Sequence, residues 1–146
     1  MKVLMKRLHP NAKVPTQGSP LSAGYDVYAC MDDSLMIFPH CTEKVGIGWA
    51  MKPENEEAFY ITVNARSGLA TKEGLRPANC VGICDADYRG EYMVALHNDS
   101  NEVRFVQPND KIAQILLVPR YIMDFEEVEE LDETERGSGG FGHTGN

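Results

Sequence analysis

The sequence predicts an all-β fold, a sandwich or barrel, in one domain. Short apolar runs recur along the 146 residues and are separated by Gly, Pro, Asn or Asp, which are typical of tight turns. Residues 59–63 are rich in aromatic and β-branched side chains, which pack well on a pleated surface. No comparable window shows a sustained 3.6-residue period, so the best helical candidate is one or two turns around Leu69–Glu73.

Eight apolar runs are the predicted strands. In chain order they cover residues 3–8, 25–30, 35–38, 45–50, 59–63, 92–96, 103–106 and 112–118. A further run, residues 80–84, precedes the run 92–96, and the polar turn between them contains Ala86, Asp87 and Gly90. This composition predicts a β-hairpin whose two strands are joined by a short loop.

Asp85 lies where the first strand of this predicted hairpin meets the turn. If its carboxylate is partly buried among apolar neighbours, its proton affinity rises, which suits a general base that activates water. A turn-capping Asp is the alternative, because Asp favours turns for purely local reasons.

The formal charge of -8 is concentrated in one segment. Residues 124–135 contain eight of the 22 acidic residues, and the other 14 are balanced by 14 Lys and Arg. A nucleic-acid polymer is disfavoured as ligand because no basic stripe can neutralise a run of phosphates, whereas a small phosphorylated ligand needs few cations. The acidic segment is predicted to be an extended connector, held down by Phe125, Val128 and Leu131.

Cys30, Cys41, Cys80 and Cys84 are predicted to be buried free thiols. The N-terminal apolar run is too short for a signal peptide and no stretch approaches membrane-spanning length, so we expect a cytoplasmic protein with no membrane partner. The spacing of Cys80 and Cys84 is too wide for a metal-binding CxxC pair, so no zinc site is predicted.

Three further stretches carry polar groups with more than one interpretation. Asp26 lies within an alternating strand and is either exposed or paired. Arg66, Ser67 and Gly68 form either an anion cradle at the start of a helical turn or an ordinary turn capped by Ser67. Gln114 is a lone amide in an apolar strand, and its partner is the backbone, water or a ligand.

The chain ends in a glycine-rich stretch, residues 136–146. Five glycines make the ordering of this stretch entropically unfavourable, so a frayed terminus is one interpretation. The other is an arm that closes over a nucleotide, with Phe141 stacking on a base and Arg136 contacting the terminal phosphate.

Taken together, five stretches between residues 23 and 145 resemble, in order and spacing, the five motifs of the trimeric deoxyuridine triphosphatases (dUTP diphosphatases). The two most specific stretches are Asn79-x-x-Gly82-x-x-Asp85-x-x-Tyr88-x-Gly90-Glu91 and Arg136-Gly137-x-Gly139-Gly140-Phe141-Gly142. The sequence contains neither a GxxxxGK[ST] phosphate loop nor an HExxH metal motif, either of which would suggest a competing enzyme class.

The resemblance implies a distorted jelly-roll barrel of short strands in residues 1–135, followed by a flexible glycine-rich arm in residues 136–146. It also implies a homotrimer in which the arm closes an active site of a neighbouring subunit. The implied reaction is Mg2+-assisted hydrolysis of dUTP to dUMP and pyrophosphate. That reaction limits uracil incorporation into DNA and supplies dUMP for thymidylate synthesis.

The same resemblance assigns roles around the deoxyuridine. Asp85 would be the catalytic base that deprotonates the water attacking the α-phosphorus. Tyr88 would pack under the deoxyribose, where a 2'-hydroxyl would clash. The uracil edge would be read by a group of four residues, in part through their backbone: Asn79, Gly82, Ile83 and Met93.

Further roles concern the phosphates and the metal. The phosphates would be held by Arg66, Ser67, Gly68 and Gln114. The arm would contribute Arg136, Phe141, Gly142, His143 and Thr144. Asp26 would support this region through hydrogen bonds, and Mg2+ would be carried by the triphosphate without a direct protein ligand.

Some positions depart from the family pattern, namely Ala65, Cys84, Asn109, Lys111 and His143. His143 stands where the family typically has Ser, and an imidazole titrates near neutral pH. Two alternative functions remain open. One is the related dCTP deaminase activity, which shares the fold, and the other is a dUTP-responsive regulatory binding protein.

Overall fold

The computed structural model describes residues 1–140, which form twelve short strands and one helical turn. The strands are β1 Val3–Arg7, β2 Thr16–Gln17, β3 Tyr25–Tyr28, β4 Leu35–Ile37, β5 Thr42–Gly46, β6 Trp49–Pro53, β7 Phe59–Asn64, β8 Leu75–Pro77, β9 Val81–Cys84, β10 Met93–Asn98, β11 Arg104–Val106 and β12 Lys111–Pro119. The helical turn, Leu69–Glu73, lies between β7 and β8.

The strands of residues 1–140 pair into four antiparallel sheets. The largest has the order β2-β3-β12-β7-β9, and a three-stranded sheet has the order β5-β10-β8. β1 pairs with β6, and β4 pairs with β11. Strands that are distant in sequence therefore lie side by side, as expected for the distorted jelly roll.

One contiguous core is built from all four sheets. Ile37, Met51, Ile61 and Leu96 come from different sheets and are each at most 2% exposed. The sequence produces this core by alternation, since β10 buries every second side chain and leaves Met93 exposed.

Asn98 is the polar exception within this core, and it is fully buried. Its Nδ2 donates to the carbonyls of Ile37 at 2.9 Å and Glu102 at 2.8 Å, and its Oδ1 accepts from the Ser100 amide at 2.9 Å. These bonds satisfy the buried amide and tie β10 to β4.

The predicted β-hairpin of residues 80–96 is wrong in its pairing. β9 pairs with β7 over four residues, whereas β10 pairs with β5 over five residues and with β8 on its other side. A short polar loop permits the pairing of neighbouring strands but does not enforce it, and here both strands form ladders with other partners. The two strands diverge into different sheets, and a cavity lies between them.

The predicted strand at residues 45–50 is also wrong, because the run contains a corner. β5 ends at Gly46 and β6 begins at Trp49, and Gly48 has φ +74°. That left-handed conformation suits glycine and breaks the strand in two.

The predicted helical turn at Leu69–Glu73 is confirmed and is π-helical. It ends at Gly74, whose φ of 69° is the left-handed conformation common after a helix C-terminus. Among residues 1–140 no helix has the length and apolar character needed to cross a membrane.

Two predictions about burial need correction. The four cysteines are free, but Cys41 and Cys80 are exposed and the other two are half-buried. The connector has no regular structure over most of its length, and Phe125 and Leu131 are each 84% exposed. These side chains therefore do not hold the connector against its own chain.

Candidate active site

A cavity of about 250 Å3 lies between β9 and β10. The structure brings six of the predicted site residues together around it: Asn79, Gly82, Ile83, Asp85, Tyr88 and Met93. Its volume is below the ~300–1,000 Å3 typical of pockets that enclose a whole drug-sized ligand. The cavity is therefore suited to part of a ligand of that size, with the remainder lying outside.

Asp85 lies at the rim of this cavity, immediately after β9. It also lines an open cavity of about 580 Å3 on the other side of the loop. The side chain is exposed, so the partial burial considered from the sequence is not found in the single chain. Its carboxylate is accessible to water from the second cavity.

Tyr88 is fixed by local contacts in the loop. Its amide donates to the Asp85 carbonyl at 3.0 Å, which closes a β-turn, and its hydroxyl donates to the Glu91 carbonyl at 3.0 Å. A Cβ on Gly90 would lie 2.3 Å from that hydroxyl, so only glycine leaves room for the ring. The loop thus presents Tyr88 to the cavity beside Asp85.

Asn79 sits in a tight turn between β8 and β9. The amide of Cys80 donates to the Pro77 carbonyl at 3.3 Å, and Cys80 has φ +51°, which is uncommon for a non-glycine residue. A Cβ on Gly82 would lie 3.1 Å from Asn79 Nδ2 and from Val63 Cβ. Glycine therefore allows the Asn79 amide to approach the strand that forms the cavity wall.

A second group of predicted residues surrounds Asp26 on β3. Arg66 Nε lies 2.8 Å from Asp26 Oδ1, and Lys111 Nζ lies 2.8 Å from Asp26 Oδ2. The Asp26 side chain is 15% exposed, so it is paired rather than free in solvent. Burial alone would raise the pKa of Asp26, but hydrogen bonds from Lys111 and Arg66 outweigh it and lower that pKa.

Ser67 and Gly68 continue from Arg66 into the helical turn. Gly68 occupies the cap position, and no side chain caps the turn, so the interpretation of Ser67 as N-cap is wrong. Ser67 is exposed, and a Cβ added to Gly68 would meet no atom within 4 Å. This segment leaves an open surface on which the backbone and the Ser67 hydroxyl are accessible.

Gln114 on β12 stabilises the same segment. Its Nε2 donates to the Ala65 carbonyl at 2.8 Å, so the backbone is the partner of this lone amide. Its Oε1 packs so closely on Gly24 that a Cβ there would lie 2.3 Å away. Gln114 therefore joins β3 and β12 to the residues that precede Arg66.

A sequence model of the dUTPase family matches residues 10–145. The chain belongs to the dUTPase family. The deoxyuridine 5'-triphosphate nucleotidohydrolase of Syntrophotalea carbinolica is 44% identical over 144 residues, covering 98% of this chain and 96% of that protein. The protein of the same name from Idiomarina loihiensis is 40% identical, covering 99% of this chain and 95% of that protein.

Solved dUTPases share the fold at lower identity. A point mutant of the Staphylococcus bacteriophage 80alpha dUTPase with dUpNHpp has a TM-score of 0.86 at 21% identity and covers 99% of both chains. A mutant dUTPase from phage phi11 of S. aureus has a TM-score of 0.79 at 19% identity and covers 91% of this chain and 100% of that chain. That structure was described for the coordination of a structural Mg(II) ion.

In this dUTPase-family chain the two groups of site residues do not share one cavity. Arg66 and Lys111 line a cavity of about 400 Å3 that also includes Leu69 and Ile112. β7 connects the two regions, since it pairs with both β9 and β12.

The predicted arm is described only in part. Arg136 Nε donates to the Gly139 carbonyl at 2.8 Å, and Arg136 is exposed. Phe141, Gly142, His143 and Thr144 lie outside the described residues.

Glu91 was missed as a positioning residue by sequence reasoning. Its Oε1 accepts from the Gly48 amide at 2.8 Å and lies where a Cβ on Gly46 would be 2.3 Å away. Glu91 thereby fixes the end of the loop to the corner between β5 and β6. The position of Glu91 within the family motif was a signal that the residue matters. Its contacts could not be read from the sequence, because the partner glycines are more than forty residues away.

Tyr92 was also missed. It is 2% exposed, and its ring centroid lies 6.0 Å from that of Tyr88. Its hydroxyl has no hydrogen-bond partner within residues 1–140, although the Cys84 thiol is near. Burial raises the pKa of Tyr92, and charge on Cys84 raises it further. Burial, followed by the charge of Asp85, likewise raises the pKa of Cys84.

The described part of the chain contains no cluster of metal-ligating side chains. Within residues 1–140, no three or more His, Cys, Asp or Glu side chains are grouped so that they could hold a metal ion. The Asp26 carboxylate already forms ion pairs with the side chains of Arg66 and Lys111.

Proposed function

We propose that this dUTPase-family chain hydrolyses dUTP to dUMP and pyrophosphate, with Asp85 as the general base. The observation that carries the proposal is the assembly of Asn79, Gly82, Ile83, Asp85, Tyr88 and Met93 around one cavity. Asp85 takes a proton from water, and the water oxygen forms a bond to the α-phosphorus. The bond from that phosphorus to the bridging oxygen breaks, and pyrophosphate leaves.

The cavity between β9 and β10 takes the deoxyuridine. Because these strands do not pair with each other, backbone groups of Ile83 and Met93 are available to the uracil edge, together with the Asn79 amide. A polar slot of this kind rejects a mismatched base strongly, because buried groups are left unpaired. The Tyr88 ring, held by Gly90 and Glu91, is the surface on which the deoxyribose packs.

The segment from Arg66 to Gly68 holds the phosphates with Gln114. Asp26 orients Arg66 before substrate arrives, so less side-chain freedom is lost on binding. Gln114 fixes the backbone at Ala65, and open space at Gly68 allows close approach of a phosphate. A bound Mg2+ carried by the triphosphate would neutralise phosphate charge and orient the leaving group.

The functional unit is a homotrimer in which the arm of one subunit, residues 136–146, closes a site of another. Three features support association of copies. Arg66 lines a cavity separate from that of Asp85, an apolar groove of about 440 Å3 runs beside β1 and β12, and the connector exposes large apolar side chains. In the closed site Phe141 stacks on uracil, and Arg136, Gly142, His143 and Thr144 contact phosphates.

The cellular role follows from the reaction. Removing dUTP limits uracil incorporation into DNA, and the product dUMP is the precursor of thymidylate. We place the protein in the reducing cytoplasm, and its four free cysteines support that location.

The test is product analysis with dUTP, dCTP, dTTP and UTP, with and without Mg2+. Of the four nucleotides we expect dUTP to be the one that is hydrolysed, giving dUMP and pyrophosphate. Turnover should depend on Mg2+. Release of ammonia from dCTP would instead identify the deaminase activity. Absence of dUMP from dUTP would overturn the proposal.

The Asp85→Asn variant tests the role of the base. Because the amide keeps the shape of the side chain but cannot accept the proton, kcat should fall by at least ~100-fold. The Kd for a non-hydrolysable dUTP analogue should change little, as calorimetry can measure. A variant that keeps more than about a tenth of wild-type kcat would show that Asp85 is not the base.

A further inference from the structure

The loop that carries Asp85 and Tyr88 is held from its outer side by Arg89. Arg89 Nη1 donates to the Ala86 carbonyl at 2.7 Å and to the Tyr88 carbonyl at 3.2 Å. One guanidinium therefore binds two carbonyls of the turn that follows Asp85. These contacts fix the turn only if Arg89 is itself fixed.

Glu56, in the loop between β6 and β7, is the residue that fixes Arg89. Its Oε2 pairs with Arg89 Nη2, and its Oε1 pairs with Lys52 Nζ at 2.5 Å. The Glu56 side chain is 33% exposed and that of Lys52 is 29% exposed, so both are partly removed from solvent. Because Lys52 belongs to β6, the pair connects the loop to the sheet framework.

Glu56 also lines the same open cavity as Asp85, together with Glu57 and Asp87. Four carboxylates facing one cavity would repel one another, and Arg89 and Lys52 compensate part of that charge. Hydrogen bonds from Lys52 and then Arg89 lower the pKa of Glu56, so it stays ionised across the neutral range.

We propose that Glu56 is a positioning residue for the reaction: acting through Arg89, it holds the loop of residues 85–88 in the geometry that catalysis needs. The inference rests on the proposed function, since it assigns Asp85 to the chemistry. Misplacement of a reacting group by a fraction of an ångström lowers turnover more than substrate binding. Glu56 thus affects kcat through a contact 33 residues away in sequence.

The experiment compares Glu56→Gln with Glu54→Gln as a matched control. Glu54 lies two residues away and pairs with Lys2 at 3.5 Å, where both side chains are more than half exposed. We expect Glu56→Gln to lower kcat for dUTP about tenfold with little change in KM, whereas Glu54→Gln keeps wild-type values. Both variants should unfold near the wild-type temperature, because the ion pairs that they lose, two at Glu56 and one at Glu54, are all at least partly solvent-accessible.

A second comparison shows whether Glu56 acts through Arg89. In an Arg89→Ala background the carboxylate has no guanidinium to hold, so adding Glu56→Gln should not lower kcat further. An unchanged kcat in Glu56→Gln, or full additivity of the two substitutions, would overturn the inference.

Hydrogen exchange provides a readout that does not depend on activity. Amides of residues 85–91 should exchange faster in Glu56→Gln than in wild type, and Glu54→Gln should match wild type. Equal exchange in all three proteins would contradict the positioning role. An inactive wild type would refute the proposed function alone, whereas a Glu56→Gln variant with wild-type kcat would refute only the inference.

Discussion

At the scale of single residues, the hydroxyl and the ring of Tyr92 have opposite effects on the stability of the fold. The hydroxyl is buried beside the cavity between β9 and β10 and has no hydrogen-bond partner in residues 1–140. A buried polar group in this state loses its hydration without compensation, at about 1–3 kcal/mol. The ring itself contributes apolar burial against Tyr88, so the hydroxyl and the ring act in opposite directions on stability.

The Tyr92→Phe variant tests that balance. Since no hydrogen bond is lost, the free energy of unfolding should stay the same or rise by up to about 1 kcal/mol. Urea unfolding at one fixed protein concentration measures this change in the free energy of unfolding. Tyr28→Phe is the matched control, because the Tyr28 hydroxyl lies 2.6 Å from Thr16 Oγ1, and its loss should destabilise by about 0.5 kcal/mol. A loss above about 1 kcal/mol in Tyr92→Phe would show that its hydroxyl has a buried partner.

The sequence predicts the proximity of residues that lie close together in the chain. Asp85, Tyr88 and Asn79 lie within one short stretch, and local chain geometry keeps them near one cavity. Glu56 was not predictable in this way. Its contact with Arg89 depends on how the β6–β7 loop meets the loop between β9 and β10, and nothing in the spacing of the two residues encodes it.

At the scale of elements, strand positions are more predictable than strand partners. Turn residues mark where a strand stops, so β3, β4, β7 and β12 and the turn Leu69–Glu73 follow from composition. The partner of β9 does not, because its apolar residues fit the edge of the five-stranded sheet as well as a hairpin. The sequence therefore predicts the cavity's residues but not that two sheets form its walls.

The Asp26 cluster joins three elements and makes stability depend on pH. Asp26 on β3 pairs with Arg66 after β7 and with Lys111 on β12, so its charge holds two cations in place. Its pKa in the folded state lies below the ordinary value of 3.8. The stabilisation is therefore complete well above pH 3.8 and is lost as the pH falls through the lower folded-state pKa.

The Asp26→Asn variant should be less stable than wild type by about 1–3 kcal/mol at pH 7, because two partly buried cations lose their counter-charge. The difference should stay constant down to about pH 5 and shrink below pH 3.8. Urea unfolding midpoints of both proteins between pH 3 and pH 8 measure it. Asp33→Asn, which removes a carboxylate that forms no ion pair among residues 1–140, is the control. A difference that grows on acidification would contradict the assigned sign.

At the scale of the whole molecule, the single chain leaves much apolar surface uncovered. Four large apolar side chains just before and along the connector are each more than 80% exposed: Tyr121, Ile122, Phe125 and Leu131. Such density of large apolar side chains is unusual on a monomer surface and is typical of surface that another chain covers. Acidic residues lie between these apolar side chains and favour solubility.

Subunit complementation tests whether the arm acts in a neighbouring subunit. A chain ending at residue 135 keeps Asp85 but lacks the arm, and full-length Asp85→Asn has the arm but lacks the base. Each should assemble and be nearly inactive alone. Co-refolded in equal amounts, they should recover about a quarter of wild-type turnover per site, because in a cyclic trimer random pairing places a complete arm beside an intact base that often.

The recovered activity depends on whether the arm closes the site of its own subunit or that of a neighbour. If the arm closed the site of its own subunit, no mixed trimer would contain one complete site, and activity would stay at the level of the separate variants. Sedimentation confirms that mixed trimers form, and equal amounts of wild type and truncated chain give the positive control. Recovery in the mixture, without recovery when preformed trimers are combined and assayed at once, assigns arm and base to different subunits.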